Sequence, residues 1–129
     1  MAAVVTGEDG RLLVVRRRDN GQWQIPGGVL ELDESIQDGL RREVEEETGV
    51  RVEPVRLTGV YKNLRRGTVA LVFRARPVAG RAEPTEESAA VAWWTAAQAQ
   101  SRMSTTFAVR VRDALSGDEV AVRLHDSAQ

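Results

Sequence analysis

The sequence predicts an α+β fold organised on a mixed β-sheet. Two observations carry that expectation. Short apolar and β-branched runs recur along the chain between Gly, Asp and Pro turn signals, as strands do. Two helical patterns, one inside residues 33–49 and one near the C-terminal end, follow successive groups of strands. The order strands, helix, strands, helix argues α+β. With 129 residues the expected unit is one domain, 1–129, large enough for a single core.

Residues 2–5 are small and aliphatic and can begin a strand. Glu8-Asp9-Gly10 is a turn signal. Leu12 to Val15 is a continuous apolar run ending in Arg16-Arg17-Arg18, which reads as a strand buried on both faces. Two such runs around Asp-Gly predict a hairpin or close pair. Trp23-Gln24-Ile25 alternates as a short strand. Pro26-Gly27-Gly28 then stops regular structure and lets backbone approach a ligand closely. Val50 to Tyr61 and Thr68 to Arg76 are the next strands, with Pro54 marking an edge or bend. Leu64 to Gly67 is the turn between them, and Pro77 to Ser88 a polar connection. Val91 to Trp94 is another strand. Thr95 caps a helix running to about Gln100, and Ser104 to Thr106 cap another, ended by Gly117. In that second helix Phe107, Val111 and Leu115 share one face. Val120, Val122 and Leu124 alternate as a last strand.

The central helix carries an electrostatic anomaly. Ser35 or Asp33 can cap its start, and Gly49 suits its end. Ile36, Leu40 and Val44 form its apolar stripe. At about 100° per residue, Glu43, Glu46 and Glu47 share one face beside that stripe, while Glu45 points the opposite way. Like charges three and four residues apart repel. Each also sits at the helix C-terminal end, where the dipole opposes it by roughly 0.3–1 kcal/mol. Arg42 offsets only part of this. A divalent cation would reverse the sign of the whole cluster, and clustered carboxylates are the hard oxygen ligands that magnesium takes beside substrate phosphates.

Composition excludes several alternatives. The net charge is −1, which gives no global attraction to a nucleic-acid duplex or an acidic membrane. There are no cysteines and one histidine, so thiol nucleophiles, zinc–thiolate sites and histidine-rich metal sites are excluded. No apolar run reaches the length of a membrane span, and no secretory signal is visible. The expected compartment is the cytoplasm.

The stretch from Gly28 to Val50 resembles the Nudix box, G-x5-E-x7-R-E-U-x-E-E-x-G-U with U aliphatic. Gly28, Glu34, Arg42, Glu43, Val44, Glu46, Glu47, Gly49 and Val50 fill every fixed position. One departure is Asp33, where many members have glycine; the position belongs to loop geometry more than to chemistry. The resemblance implies an α/β/α sandwich and hydrolysis of a pyrophosphate linked to another group. It implies that Glu43, Glu46 and Glu47 hold magnesium or manganese, joined by the Gly27 carbonyl. Arg42 would orient a ligand glutamate, and Glu34 would sit behind the ligands or support the helix start, near the substrate-binding Gly28. The general base would be Glu46 or Glu47, with Glu86 or Glu87 as outside candidates.

Outside the box, Glu86 and Glu87 lie seven and six residues before Trp93. The resemblance allows one of them to join the metal site; otherwise both are solvated loop charges. Arg17, at a strand end, matches a phosphate-contacting position in some relatives or is a surface arginine. Trp23, Tyr61, Phe73 and Trp94 could stack on a base or belong to the core. A single small domain suits a nucleoside triphosphate or an oxidised nucleotide, with ADP-ribose or a nucleotide sugar as the alternative. A sensing module that had lost catalysis would not need the complete box. An edge strand could pair two copies into a homodimer.

Overall fold

The computed structural model describes residues 1–127, so the last two residues of the expected 1–129 domain lie outside the described residues. Seven strands and three helices follow in chain order among them: β1 Ala2–Val5, β2 Leu12–Arg17, β3 Trp23–Gln24, α1 Ile36–Thr48, β4 Val50–Asn63, β5 Thr68–Gly80, β6 Ser88–Trp94, α2 Ala96–Arg102, α3 Thr105–Ser116 and β7 Ala121–His125. They form a mixed four-stranded sheet, ordered β1-β5-β4-β7, and an antiparallel three-stranded sheet, ordered β3-β2-β6. In the mixed sheet β1 runs parallel to β5 and β7 parallel to β4, while β4 and β5 are antiparallel.

Strand alternation sorts side chains to two cores. Ala2, Val4, Leu12 and Val14 face α2 and α3, packing with Ala99, Met103, Val111 and Trp94. Their neighbours Ala3, Val5 and Leu13 face α1 and pack on Leu40 and Val44. Successive strand residues point to opposite faces, so runs that read as continuously apolar feed both cores at once. Trp93 and Trp94 divide in the same way, one to each core. The helices therefore lie on both sides of the sheets, as the α/β/α expectation requires. No helix among the described residues is long and apolar enough to cross a membrane.

Two local expectations need correction. β1 and β2 do not form a hairpin. The Gly10 turn is present, with Gly10 N–H donating to Gly7 O, but only one bridge, Thr6 to Leu12, joins the two arms. β1 instead pairs with β5 and β2 with β6. Turn chemistry specified the reversal; the choice of partner lay about seventy residues away. The polar connection also begins later than expected, because β5 continues through Pro77 to Gly80. Pro77 faces Val52 beside a register shift in β4, beyond the four residues that β1 covers, where a missing N–H is tolerated.

The capping signals of α1 and α2 hold, and the expected side-chain cap of α3 does not form. Ser35 caps α1, its side chain accepting from Asp38 N–H at 3.1 Å. Gly49 closes α1 in the left-handed conformation, φ 78°, with its N–H donating to Glu45 O. Thr95 and Gln98 form a reciprocal capping box on α2. Ser104 precedes α3 without a side-chain cap bond.

Candidate active site

The acidic face of α1 meets the Gly27-Gly28 turn. Gly27 is required there by space, since a Cβ at residue 27 would lie 2.4 Å from Met1 O and 2.7 Å from Ala2 Cα, both backbone atoms. At Gly28 a Cβ would meet the Glu43 carboxyl at 2.4 Å, so a side chain there would turn that carboxyl away from its place. Gly27 N–H donates to Glu47 Oε1 at 3.3 Å. Gly28 N–H in turn donates to Met1 O, and Ala3 N–H to Pro26 O, which fastens the turn to β1. α1 itself is held by Leu40 and Val44 in the core, so the apolar stripe sets which way the glutamates point.

Glu87 arrives from the loop before β6. Glu43, Glu46 and Glu87 each offer a carboxylate oxygen, all within 4.8 Å of one another. The loop is tied to the C-terminal end of α1: Ser88 Oγ donates to Glu47 O at 2.8 Å. From the other side Arg18 donates to Thr85 O and Glu86 O, both at 2.9 Å. Glu86 is thus engaged through its backbone, and Glu87 is the loop acid that reaches the cluster. Arg18 carried no signal in the sequence, where it is the last of three consecutive arginines.

Arg42 is the cationic centre of this group. It forks onto Glu34, Nε to Oε2 at 2.9 Å and Nη2 to Oε1 at 2.6 Å. Its Nη1 donates to Glu43 at 2.9 Å and to Glu46 at 3.2 Å. The planar fork matches a carboxylate bidentately. Glu34 also accepts from Glu31 N–H. These bonds, the Arg42 pair foremost, hold its carboxyl well down, at about 2. Glu34 lines neither of the hollows described below.

One arginine does not balance the remaining acids. Burial pushes the Glu47 carboxyl up to about 8, reinforced by the charges of Glu43 and Glu87 and opposed by the Gly27 N–H. Glu87 is also raised, first by desolvation and then by Glu46 and Glu43. Crowded oxygen donors that resist ionisation beside each other are the donor set a hard divalent cation fits.

Two adjoining hollows open from this point. One, about 300 Å³, is lined by Arg17, Arg18, Glu47 and Glu87. The other, about 320 Å³, runs on past Gln24 and Ile25 to Phe107 and Arg110. Arg17, Asp19, Gln24 and Gly27 border both. Arg17 is therefore at the cleft, but its guanidinium forks onto Asp19, with Nε to Oδ1 at 2.7 Å. That pair holds the Asp19 carboxyl down at about 2. Of the expected aromatics, Trp94 is buried against Trp23, ring centroids 4.8 Å apart, and Tyr61 is buried beneath α3. Phe73 packs on the α1 side. The aromatic ring that lines the cleft is Phe107, expected only as part of a helix face.

A complete glutamate box folded against a glycine turn defines a class, and the comparisons agree. The NUDIX domain model matches residues 1–115, and the chain belongs to the Nudix family. Its activity is that of a MutT-like pyrophosphohydrolase, and the family typically works with divalent metal ions. A "MutT-like protein" of Streptomyces ambofaciens is 56% identical over 98% of this chain and 82% of its own length. The human 8-oxo-dGDP phosphatase NUDT18 is 33% identical over all of this chain, which spans 40% of that protein. In structure, a NUDIX hydrolase from Nitrosomonas europaea superposes with TM-score 0.79 at 22% identity, covering 98% of this chain and 78% of the other.

Proposed function

We propose that this protein hydrolyses a nucleoside triphosphate or an oxidised nucleotide at its pyrophosphate, using magnesium or manganese. The gathering of Glu43, Glu46 and Glu87 carboxylates within 4.8 Å carries the reading. The similarity to a protein named 8-oxo-dGDP phosphatase supports the substrate class. On this reading residues 1–129 act as one domain.

Glu43, Glu46 and Glu87 would hold the cation, with Glu47 and Gly27 completing the wall around it. The chemistry a bound divalent cation supplies is charge neutralisation on the phosphate oxygens, a more acidic attacking water and ionised carboxylates beside it. Arg42 positions Glu43 and Glu46 through its Nη1 and is itself fixed by Glu34. Arg17 and Arg18 border the hollow next to the acids, where substrate phosphates would lie. In the reaction a water oxygen bonds to phosphorus and the bridging P–O bond breaks. The water's proton passes to Glu46 or Glu47. Burial raises the Glu47 carboxyl in the metal-free protein, and a bound cation beside it would favour the ionised form that a general base needs.

The test is a phosphate-release screen of nucleoside di- and triphosphates, oxidised nucleotides, ADP-ribose and nucleotide sugars with magnesium or manganese. Turnover of triphosphates or oxidised nucleotides is expected. Excess EDTA should abolish it while the circular dichroism spectrum stays native. Turnover that persists in EDTA, or that is confined to ADP-ribose and sugars, would overturn the proposal.

A further inference from the structure

Arg110 is the buried cation that the proposed chemistry leaves unused. It lies on α3, only 8% exposed, and lines the cleft at the Phe107 end. Its guanidinium stands over the rings of Tyr61 and Phe107, 5.0 and 5.2 Å from their centroids. No acceptor among the described residues reaches its buried Nε. The nearby acid is committed elsewhere: Asp113 accepts from Tyr61 Oη on one oxygen and from Arg123 on both. Burial disfavours the Arg110 charge, and the positive charge is felt by His125. Ring faces attract a cation, but they accept none of its in-plane N–H bonds. The cleft is therefore polar in sequence, with carboxylates at one end and a donor-only guanidinium at the other.

We infer that Arg110 selects the base: the nucleobase occupies the Phe107 end of the cleft with a carbonyl edge on this guanidinium, so keto bases are accepted and amino bases refused. The inference rests on the proposed nucleotide substrate and adds its specificity. A guanidinium has donors and no acceptor. Guanine offers O6 and N7, and thymine or uracil offers O4, all acceptors. Adenine and cytosine present an amino group at the corresponding edge, which sets donor against donor. Guanine oxidised at C8 loses N7 as an acceptor, because N7 becomes an N–H donor, but it keeps O6, and that single carbonyl places it in the accepted class. The phosphates point the other way, toward Arg17, Arg18 and the acids, because the two hollows meet at Gln24 and Gly27.

The experiment compares kcat/KM for dGTP, dTTP, dATP and dCTP with manganese in the wild-type chain, Arg110→Gln and Arg110→Lys. Keto bases should exceed amino bases by roughly 10–100-fold, chiefly through KM. Arg110→Gln, whose amide both donates and accepts, should bring the ratio to within a few fold, while Arg110→Lys, a donor only, should keep the keto preference. Equal use of all four by the wild type, or an undiminished ratio in Arg110→Gln, overturns the inference. If neither a triphosphate nor an oxidised nucleotide turns over, the substrate proposal fails separately. Calorimetric titration of the manganese-loaded protein with dGMP and dAMP then decides for Arg110. A dGMP preference in the wild type that Arg110→Gln removes supports it; equal affinities overturn it. Should Arg110→Gln fail to fold, Arg110→Met, of similar length and without donors, takes its place: loss of the keto preference supports the inference and an undiminished ratio overturns it.

Discussion

Glu47 on α1 and Asp113 on α3 are both carboxyls withdrawn from water, yet their protons behave in opposite ways. Asp113, 7% exposed at its side chain, accepts from Tyr61 Oη at 2.8 Å and from Arg123 Nε and Nη2 at 2.7 Å each. The Arg123 bonds, above all, hold its carboxyl below the usual range. Glu47 accepts one long bond from Gly27 N–H and faces Glu43 and Glu87, and burial drives it up to about 8. A buried charge with a full set of partners belongs to the architecture. A buried charge surrounded by its own kind marks a place where the fold leaves an interaction for a ligand to complete. Evolutionary function is not needed to tell them apart; the partner inventory does so.

The largest effect should come from the unbalanced side. Glu47→Gln is expected to lower kcat by roughly 10²–10⁴-fold while the chain stays folded. Stability of the metal-free protein should also change shape. The folded state keeps the Glu47 proton to about pH 8, whereas the ordinary value is 4.5. The unfolded chain therefore binds fewer protons between these limits, so this group's contribution is whole below 4.5 and is lost as pH rises through 8. The Tm of the metal-free wild type should fall over that window, and Glu47→Gln should flatten the fall. Wild-type turnover in the variant, or equal slopes in the two proteins, would remove Glu47 from the comparison.

A smaller effect is expected at Arg42, which stands between the two behaviours because it satisfies Glu34 fully and Glu43 and Glu46 only in part. Lysine keeps the charge but cannot fork onto Glu34 while donating to Glu43 and Glu46. Arg42→Lys should weaken manganese binding by roughly 10–100-fold, read by calorimetric titration, and unaltered affinity would show that Arg42 does not position the acids.

The smallest effect belongs to the satisfied side. Tyr61→Phe deletes one hydrogen bond to Asp113 and keeps the ring beneath Arg110. Denaturant unfolding should show a loss of about 1 kcal/mol with turnover unchanged. If that substitution abolished activity instead, the Asp113 group could no longer be set against the acidic site as purely architectural.

The parts of this protein that were legible from residues alone share a property: their cause is local. Ser35, the stripe of Ile36, Leu40 and Val44, and Gly49 delimit α1 within fifteen residues. The placement of Glu43, Glu46 and Glu47 on one face follows from helical pitch. Thr95 and Gln98 cap α2 for equally local reasons. Where the sequence misled, the missing information was distant. The Gly10 reversal looked like a hairpin because nothing near it discloses that β5 competes for β1 and β6 for β2. Pro77 looked like a strand end because its neighbours in the sheet are set by β4 and by the short reach of β1.

The candidate site divides along the same line. Its helix face and its glycine turn were legible in the order of residues, since a helix presents its third and fourth neighbours together and Pro26-Gly27-Gly28 stops regular structure. Which loop acid joins them, Glu87 with Glu86 held through its backbone, was decided by tertiary packing of the 85–88 loop against the end of α1 and by Arg18. So was the far end of the cleft, where Arg110 and Phe107 arrive from α3. Pitch and turn chemistry act between neighbours and can be read along the chain, whereas steric room, charge pairing and enclosure depend on which surfaces the finished fold brings together.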